Sequence, residues 1–84
     1  MEMSRLDYCV LKILRKNECY NKYNSMTVYE IIEITGTSRC TTSRHIKKLV
    51  DVGYLEYGCC VGNAMTYYLT EMGKEFLIES EKVA

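Results

Sequence analysis

The tightest constraint on this chain lies between Gly36 and Ser38, where one helical signal ends and another begins with only Thr37 between them. Upstream, Thr27-x-x-Glu30 forms a capping-box pattern, in which a hydroxyl and a carboxylate satisfy each other's free backbone N–H groups at a helix start. Val28, Ile31, Ile32 and Thr35 then recur at helical spacing. Gly36 suits the left-handed residue that closes a helix. Ser38 is in place to cap the next helix, whose buried positions by spacing are Thr42, Ile46 and Leu49 and whose stop is Gly53. Helices joined this closely do not fold back easily as an antiparallel hairpin. A short turn containing glycine suits a crossed pair.

The flanking segments complete the plan. Leu6, Cys9, Val10, Ile13 and Leu14 form an apolar helical stripe, and Ser4 followed by Asp7 fits an N-cap with a carboxylate near the positive end of the helix. That helix is expected to fade near Asn17, and the Asn-rich, aperiodic residues 17–25 read as a surface loop. After Gly53 the period changes. Residues 54–57 and 65–69 are aromatic and β-branched runs around Gly58-Cys59-Cys60-Val61-Gly62-Asn63-Ala64, the pattern of a β-hairpin. Thr70 then caps a last helix with Met72, Phe76 and Leu77 on its apolar side. With 84 residues, 48% of them hydrophobic and 26% charged, the chain fits a single globular domain, residues 1–84, rather than a disordered tail. No apolar run approaches 18 residues and the first residues lack a signal-peptide core, so neither a membrane span nor secretion is expected, and the expected location is the cytoplasm. The fold class is α+β: a three-helix core, a two-stranded β-hairpin and a C-terminal helix.

The order helix, loop, helix-turn-helix, hairpin, helix resembles the winged helix-turn-helix. The run TSRCTTSRHIKKLVDVGYLE is similar to the recognition-helix segment of MarR-, ArsR- and PadR-like small regulators. TYYLTEMGKEFL resembles their second wing strand and following helix, where a Leu-Thr-x-x-Gly-Lys signature is common. Each segment is a weak pattern, and their joint order and spacing carry the likeness. It implies double-stranded DNA as partner, with residues 38–52 as the recognition helix in the major groove.

Charge placement agrees with that expectation although net charge does not. Eleven Lys and Arg balance eleven Asp and Glu. Yet residues 37–53 carry a net +3, from Arg39, Arg44, Lys47 and Lys48 against Asp51, whereas residues 71–84 carry −2. With Thr42 at the centre of the buried face, helical rotation turns Cys40, Arg44, Lys47 and Asp51 outwards. Arg39 falls in the first turn and Ser43 on a flank. Arginine pairs with two guanine atoms at once, which makes Arg39 and Arg44 the candidate base readers. Ser38, Thr41, Ser43, Lys47 and Lys48 are the candidate phosphate contacts, and the resemblance implies the same positions facing DNA. Outside a helix-turn-helix, such a run would be an ordinary solvated face. His45 lies towards the buried side and reads as a packing residue rather than a ligand or base. The hairpin departs from the family pattern, because residues 57–66, YGCCVGNAMT, carry no charge where wing tips usually carry Arg or Lys. Asn63 has the chemistry for a minor-groove acceptor. The uncharged loop otherwise reads as a plain surface turn, with a protein contact or a thiol sensor as alternatives.

Other chemistries find little support. The five cysteines are odd in number, Cys59 and Cys60 are adjacent, no C-x-x-C occurs, and there is one histidine, so no zinc site, disulfide framework or cofactor is expected. Cys9 reads as a small core residue, and Cys40, beside Arg39, is the thiol best placed for redox chemistry. No nucleophile–base arrangement or phosphate-cradling glycine loop suggests an enzyme. Eight tyrosines spread over every element point to packing rather than base stacking. Such proteins usually bind paired half-sites, so a homodimer is expected, through the C-terminal helix and the first helix, with the loop carrying Tyr20 and Tyr23 as a further surface. The leading function is a small transcriptional regulator or repressor. The alternative is a plasmid or phage partition adaptor that binds repeated centromere sites and recruits a filament-forming partner. A third possibility is a protein-interaction winged helix that does not touch DNA.

Overall fold

A computed structural model describes residues 3–60 and 62–83; Val61, in the loop between the hairpin runs, lies outside them. Four helices and three strands follow in the order α1 (Arg5–Lys16), β1 (Met26–Thr27), α2 (Val28–Thr35), α3 (Arg39–Val52), β2 (Leu55–Tyr57), β3 (Thr66–Leu69) and α4 (Glu71–Val83). Among the described residues, no helix is long and apolar enough to cross a membrane.

The caps are where the local chemistry put them. Ser4 accepts from the Asp7 amide and Asp7 accepts from the Ser4 amide, closing a box at the start of α1. Thr27 and Glu30 do the same for α2. Gly36 sits at φ 72°, ψ 12°, a left-handed conformation that costs glycine little, and lets α2 stop two residues before the Ser38 cap of α3. At the other end of α3, the Gly53 amide donates to Val50 O and the Tyr54 amide to Leu49 O, the paired bonds of a Schellman motif. The Thr70 hydroxyl oxygen accepts from the Gly73 amide at the start of α4 and donates to Gly53 O at 2.6 Å, tying the two helix ends together.

Val10, Leu11, Leu14, Ile31, Ile46, Leu49, Leu55, Leu69 and Leu77 form the core and are essentially inaccessible to solvent. Burying each of these stabilises the fold by about 1.5–3 kcal/mol before chain entropy is counted. Tyr8 of α1 and Tyr54 stack on Phe76 of α4, with centroids 5.6 and 4.7 Å apart, and dock the last helix. Arg15 pairs with Glu81 across the same seam.

The two-stranded hairpin of β2 and β3 forms as expected, and β1 joins it as a third antiparallel strand that the sequence pattern did not indicate, in the order β1-β3-β2, with Met26 opposite Tyr67 and Thr27 opposite Thr66. An N-cap residue has extended backbone, so Thr27 serves as strand and cap at once. Two expectations about α1 and α4 need correction. The stripe of α1 is rotated by about one position. Its buried residues are Asp7, Val10, Leu11 and Leu14; Cys9 is exposed, and Cys19, in the 17–25 loop, is the buried thiol. Burial, with Glu30 nearby, pushes the Cys19 thiol up from its ordinary range. Met72, assigned to the apolar side of the last helix, is 53% exposed, while Leu77 fills the core.

Candidate nucleic-acid interface

α3 sorts its residues cleanly. Thr42, Ile46 and Leu49 are buried against α1 and α2, and Ser38, Arg39, Cys40, Ser43, Arg44, Lys47 and Asp51 are exposed. Thr41 is half-buried, its Oγ1 accepting from the Ser38 hydroxyl at 3.0 Å. The cap and the first two turns thus present hydroxyls and cations on one solvent face. Arg39 is not loose: its guanidinium lies 5.3 Å from the centroid of the Tyr29 ring on α2, a cation–π contact that holds it beside the helix start.

The last basic residue behaves differently. Lys48 Nζ donates to Asp7 Oδ2 at 2.7 Å, and His45 Nδ1 lies 2.7 Å from Asp7 Oδ1 and 3.4 Å from Ser4 Oγ. Asp7 has no exposed surface at all. Burial alone would raise its carboxyl, but the hydrogen bonds from Lys48, Ser4 and His45 outweigh it and hold the group below its ordinary value of 3.8. One buried carboxylate on α1 therefore fixes two successive turns of α3. Lys48 adds its charge to this face from a tether rather than as a free side chain.

Sequence reasoning did not assign to this site Tyr29 on the surface or Asp7 buried beneath it, and it read His45 as a packing residue. Asp7 was legible as a cap. The further signal was that it shares a helical face with Val10, Leu11 and Leu14, since a carboxylate on a core face demands a buried cation. Tyr29 carried no signal beyond its place two residues after the cap.

The loop end of the hairpin, residues 57–66, carries no charge; the exposed carboxylate of the hairpin is Glu56 in β2. Asn63 is exposed, next to Gly62 in a left-handed turn at φ 61°. The base of the loop is tied down: Gly58 N donates to Thr66 O at 2.9 Å, and Cys59 N to Lys22 O at 3.2 Å. Lys22, in the 17–25 loop, thus runs alongside the hairpin. Cys40, Cys59 and Cys60 are exposed and free.

Comparison with known proteins gives a consistent frame. The family model described as bacterial regulatory protein, arsR family, matches residues 9–57. The DNA-binding protein TubR of a Clostridium botulinum C phage is 32% identical over 77 residues, covering 92% of this chain and 95% of its own. The structure of TubR from Bacillus megaterium pBM400 superposes with a TM-score of 0.79 at 20% identity, over 88% of this chain and 81% of that one. Bacillus subtilis PadR, solved in complex with operator DNA, superposes with a TM-score of 0.74 at 22% identity, over 90% of this chain and 46% of its own. The shared winged helix-turn-helix extends through the three-stranded sheet and the C-terminal helix.

Proposed function

The chain belongs to the arsR family of bacterial regulatory proteins, and from that footing we propose that it binds double-stranded DNA sequence-specifically, with the N-terminal half of α3 in the major groove. The sorting of α3 carries this reading: its apolar residues are spent on the core, and its cations and hydroxyls share one open face. Arg39 and Arg44 read base edges. Ser38, Thr41, Ser43, Lys47 and the tethered Lys48 meet phosphates, and Asn63 reaches the adjacent minor groove. The uncharged hairpin loop, residues 57–66, contributes little to affinity.

Two copies act together on paired half-sites. The surface available for pairing is an apolar groove of about 560 Å3 lined by Leu6, Cys9, Ile13 and Ile34, with Arg5 and Lys12 at its rim. On α4, Met72 and Ile78 are exposed on a face that also carries exposed Glu71, Glu75 and Glu79, whose charge is opposite to that rim.

Promoter repressor and partition adaptor share this chemistry. The phage source of the 32% relative, and its match over nearly its full length, support the adaptor reading. A footprint distinguishes them: an adaptor covers an array of short direct repeats, and a repressor covers one or two palindromic sites.

The direct test of DNA binding is fluorescence anisotropy on a duplex, titrated with salt. Wild type is expected to bind with a steep salt slope, and R44A/K47A to lose about 1 unit of that slope through Lys47 and to bind more weakly through the lost base contact of Arg44. No binding by wild type at low salt would overturn the reading.

A further inference from the structure

Arg44, His45 and Lys48 line a small surface cavity of about 110 Å3 on α3. Asp7 stands behind it, wholly buried, with one oxygen 2.7 Å from His45 Nδ1 and the other 2.7 Å from Lys48 Nζ. An ionised carboxylate only accepts hydrogen bonds, so the proton on this contact belongs to Nδ1. A neutral imidazole has one N–H. With that proton on Nδ1, Nε2 of neutral His45 offers only a lone pair. A DNA phosphodiester is also an acceptor and an anion. The two are compatible only when a second proton sits on Nε2.

We propose that His45 and Lys48 seat one backbone phosphate of the DNA in this cavity, beside the base-reading Arg44, and that filling it protonates His45, so that binding takes up a proton from solution. This rests on the DNA-binding role of α3. The groups placed against the ring are Asp7 and Ser4 from α1 and Arg44 and Lys48 from its own helix. The charge of Asp7 is already shared with Lys48. An incoming phosphate supplies the further anion that an imidazolium beside two cations requires. Protonation in turn converts His45 from a lone-pair acceptor into a charged donor, a stronger partner for phosphate than any neutral group. Affinity then rises as pH falls, because the bound state holds the extra proton.

His45 is the only histidine in the chain, so its ring signals can be followed without ambiguity by NMR. The test compares the affinity of the full chain for a fluorescent duplex at constant salt at about pH 8 and about pH 6, the range in which histidine side chains change charge. Wild type is expected to bind roughly 5- to 10-fold tighter at the lower pH. His45→Asn keeps an amide N–H for Asp7 in the place of Nδ1 but has nothing at Nε2 and does not titrate. Its affinity is expected to change by less than about twofold over the same range. The His45 titration midpoint in wild type should move to higher pH when duplex is added, and this readout stands even if the variant folds poorly. An unchanged midpoint, or a folded His45→Asn variant with the wild-type pH ratio, would overturn the proposal while steep salt dependence left the DNA reading intact. If wild type binds no duplex even at low salt, both fall together.

Discussion

At the scale of single residues, Asp7 bears more of this structure than any other polar group. It caps its own helix and holds His45 and Lys48 of α3 from within the core. Asp7→Asn removes the charge that offsets Lys48, and should destabilise the fold by about 2–4 kcal/mol in thermal or denaturant melts. The pH dependence has a definite sign. The folded carboxyl lies below its ordinary value of 3.8, so its contribution is complete above that pH and is lost as pH falls through the folded value. Wild-type melting temperatures should therefore drop on acidification below about pH 4, and Asp7→Asn should lack that part of the drop. Thr42 makes the opposite case. Among the described residues its buried Oγ1 has no hydrogen-bond partner, so Thr42→Val, of the same shape, should raise stability by about 1 kcal/mol in the same melts. The outward positions of Arg44, Lys47, Cys40 and Asp51 were legible because one buried anchor, Thr42, fixes the phase of α3. The Asp7 bridge was not, because capping accounts for this residue locally, and its place on the core face shows only once the phase of α1 is known.

At the scale of elements, the glycines and caps were readable because each answers a local requirement of the backbone. Gly36, Gly53, Thr27, Ser38 and Thr70 all sit where that requirement placed them. The phase of α1 was harder to read, since Leu6, Cys9 and Ile13 compete with Val10, Leu11 and Leu14 for the inner face. Tertiary packing decided in favour of the second set. A two-residue strand such as β1 is too short for any periodicity and exists only because β3 passes beside the cap of α2. Gly73 has a cause that is purely tertiary. A Cβ there would lie 2.5 Å from Tyr54 O and 2.7 Å from Leu69 Cδ1, because α4 rests directly on the end of β3 and the residue before β2. Gly73→Ala should cost about 1–3 kcal/mol despite alanine's better helix propensity, a reversal that melts of the two proteins would reveal.

At the scale of the whole molecule, a chain with no net charge gathers four of its eleven Lys and Arg on α3 and four of its eleven Asp and Glu on α4. A local excess of this kind is what a polyanion would meet on α3, whatever the net charge. Ile34, 57% exposed at the apolar groove, should be dispensable for folding but not for pairing. Ile34→Glu is expected to leave the melting temperature nearly unchanged while shifting sedimentation from dimer to monomer at micromolar concentration. The face that meets DNA is the central claim, and it is tested most directly by mapping backbone amide shifts of the labelled protein as a duplex is added. The largest changes should fall on residues 38–48 and around Asn63, with Met72, Glu75 and Ile78 of α4 unmoved. Shifts centred on α4 or the α1 groove, with residues 38–48 silent, would contradict it.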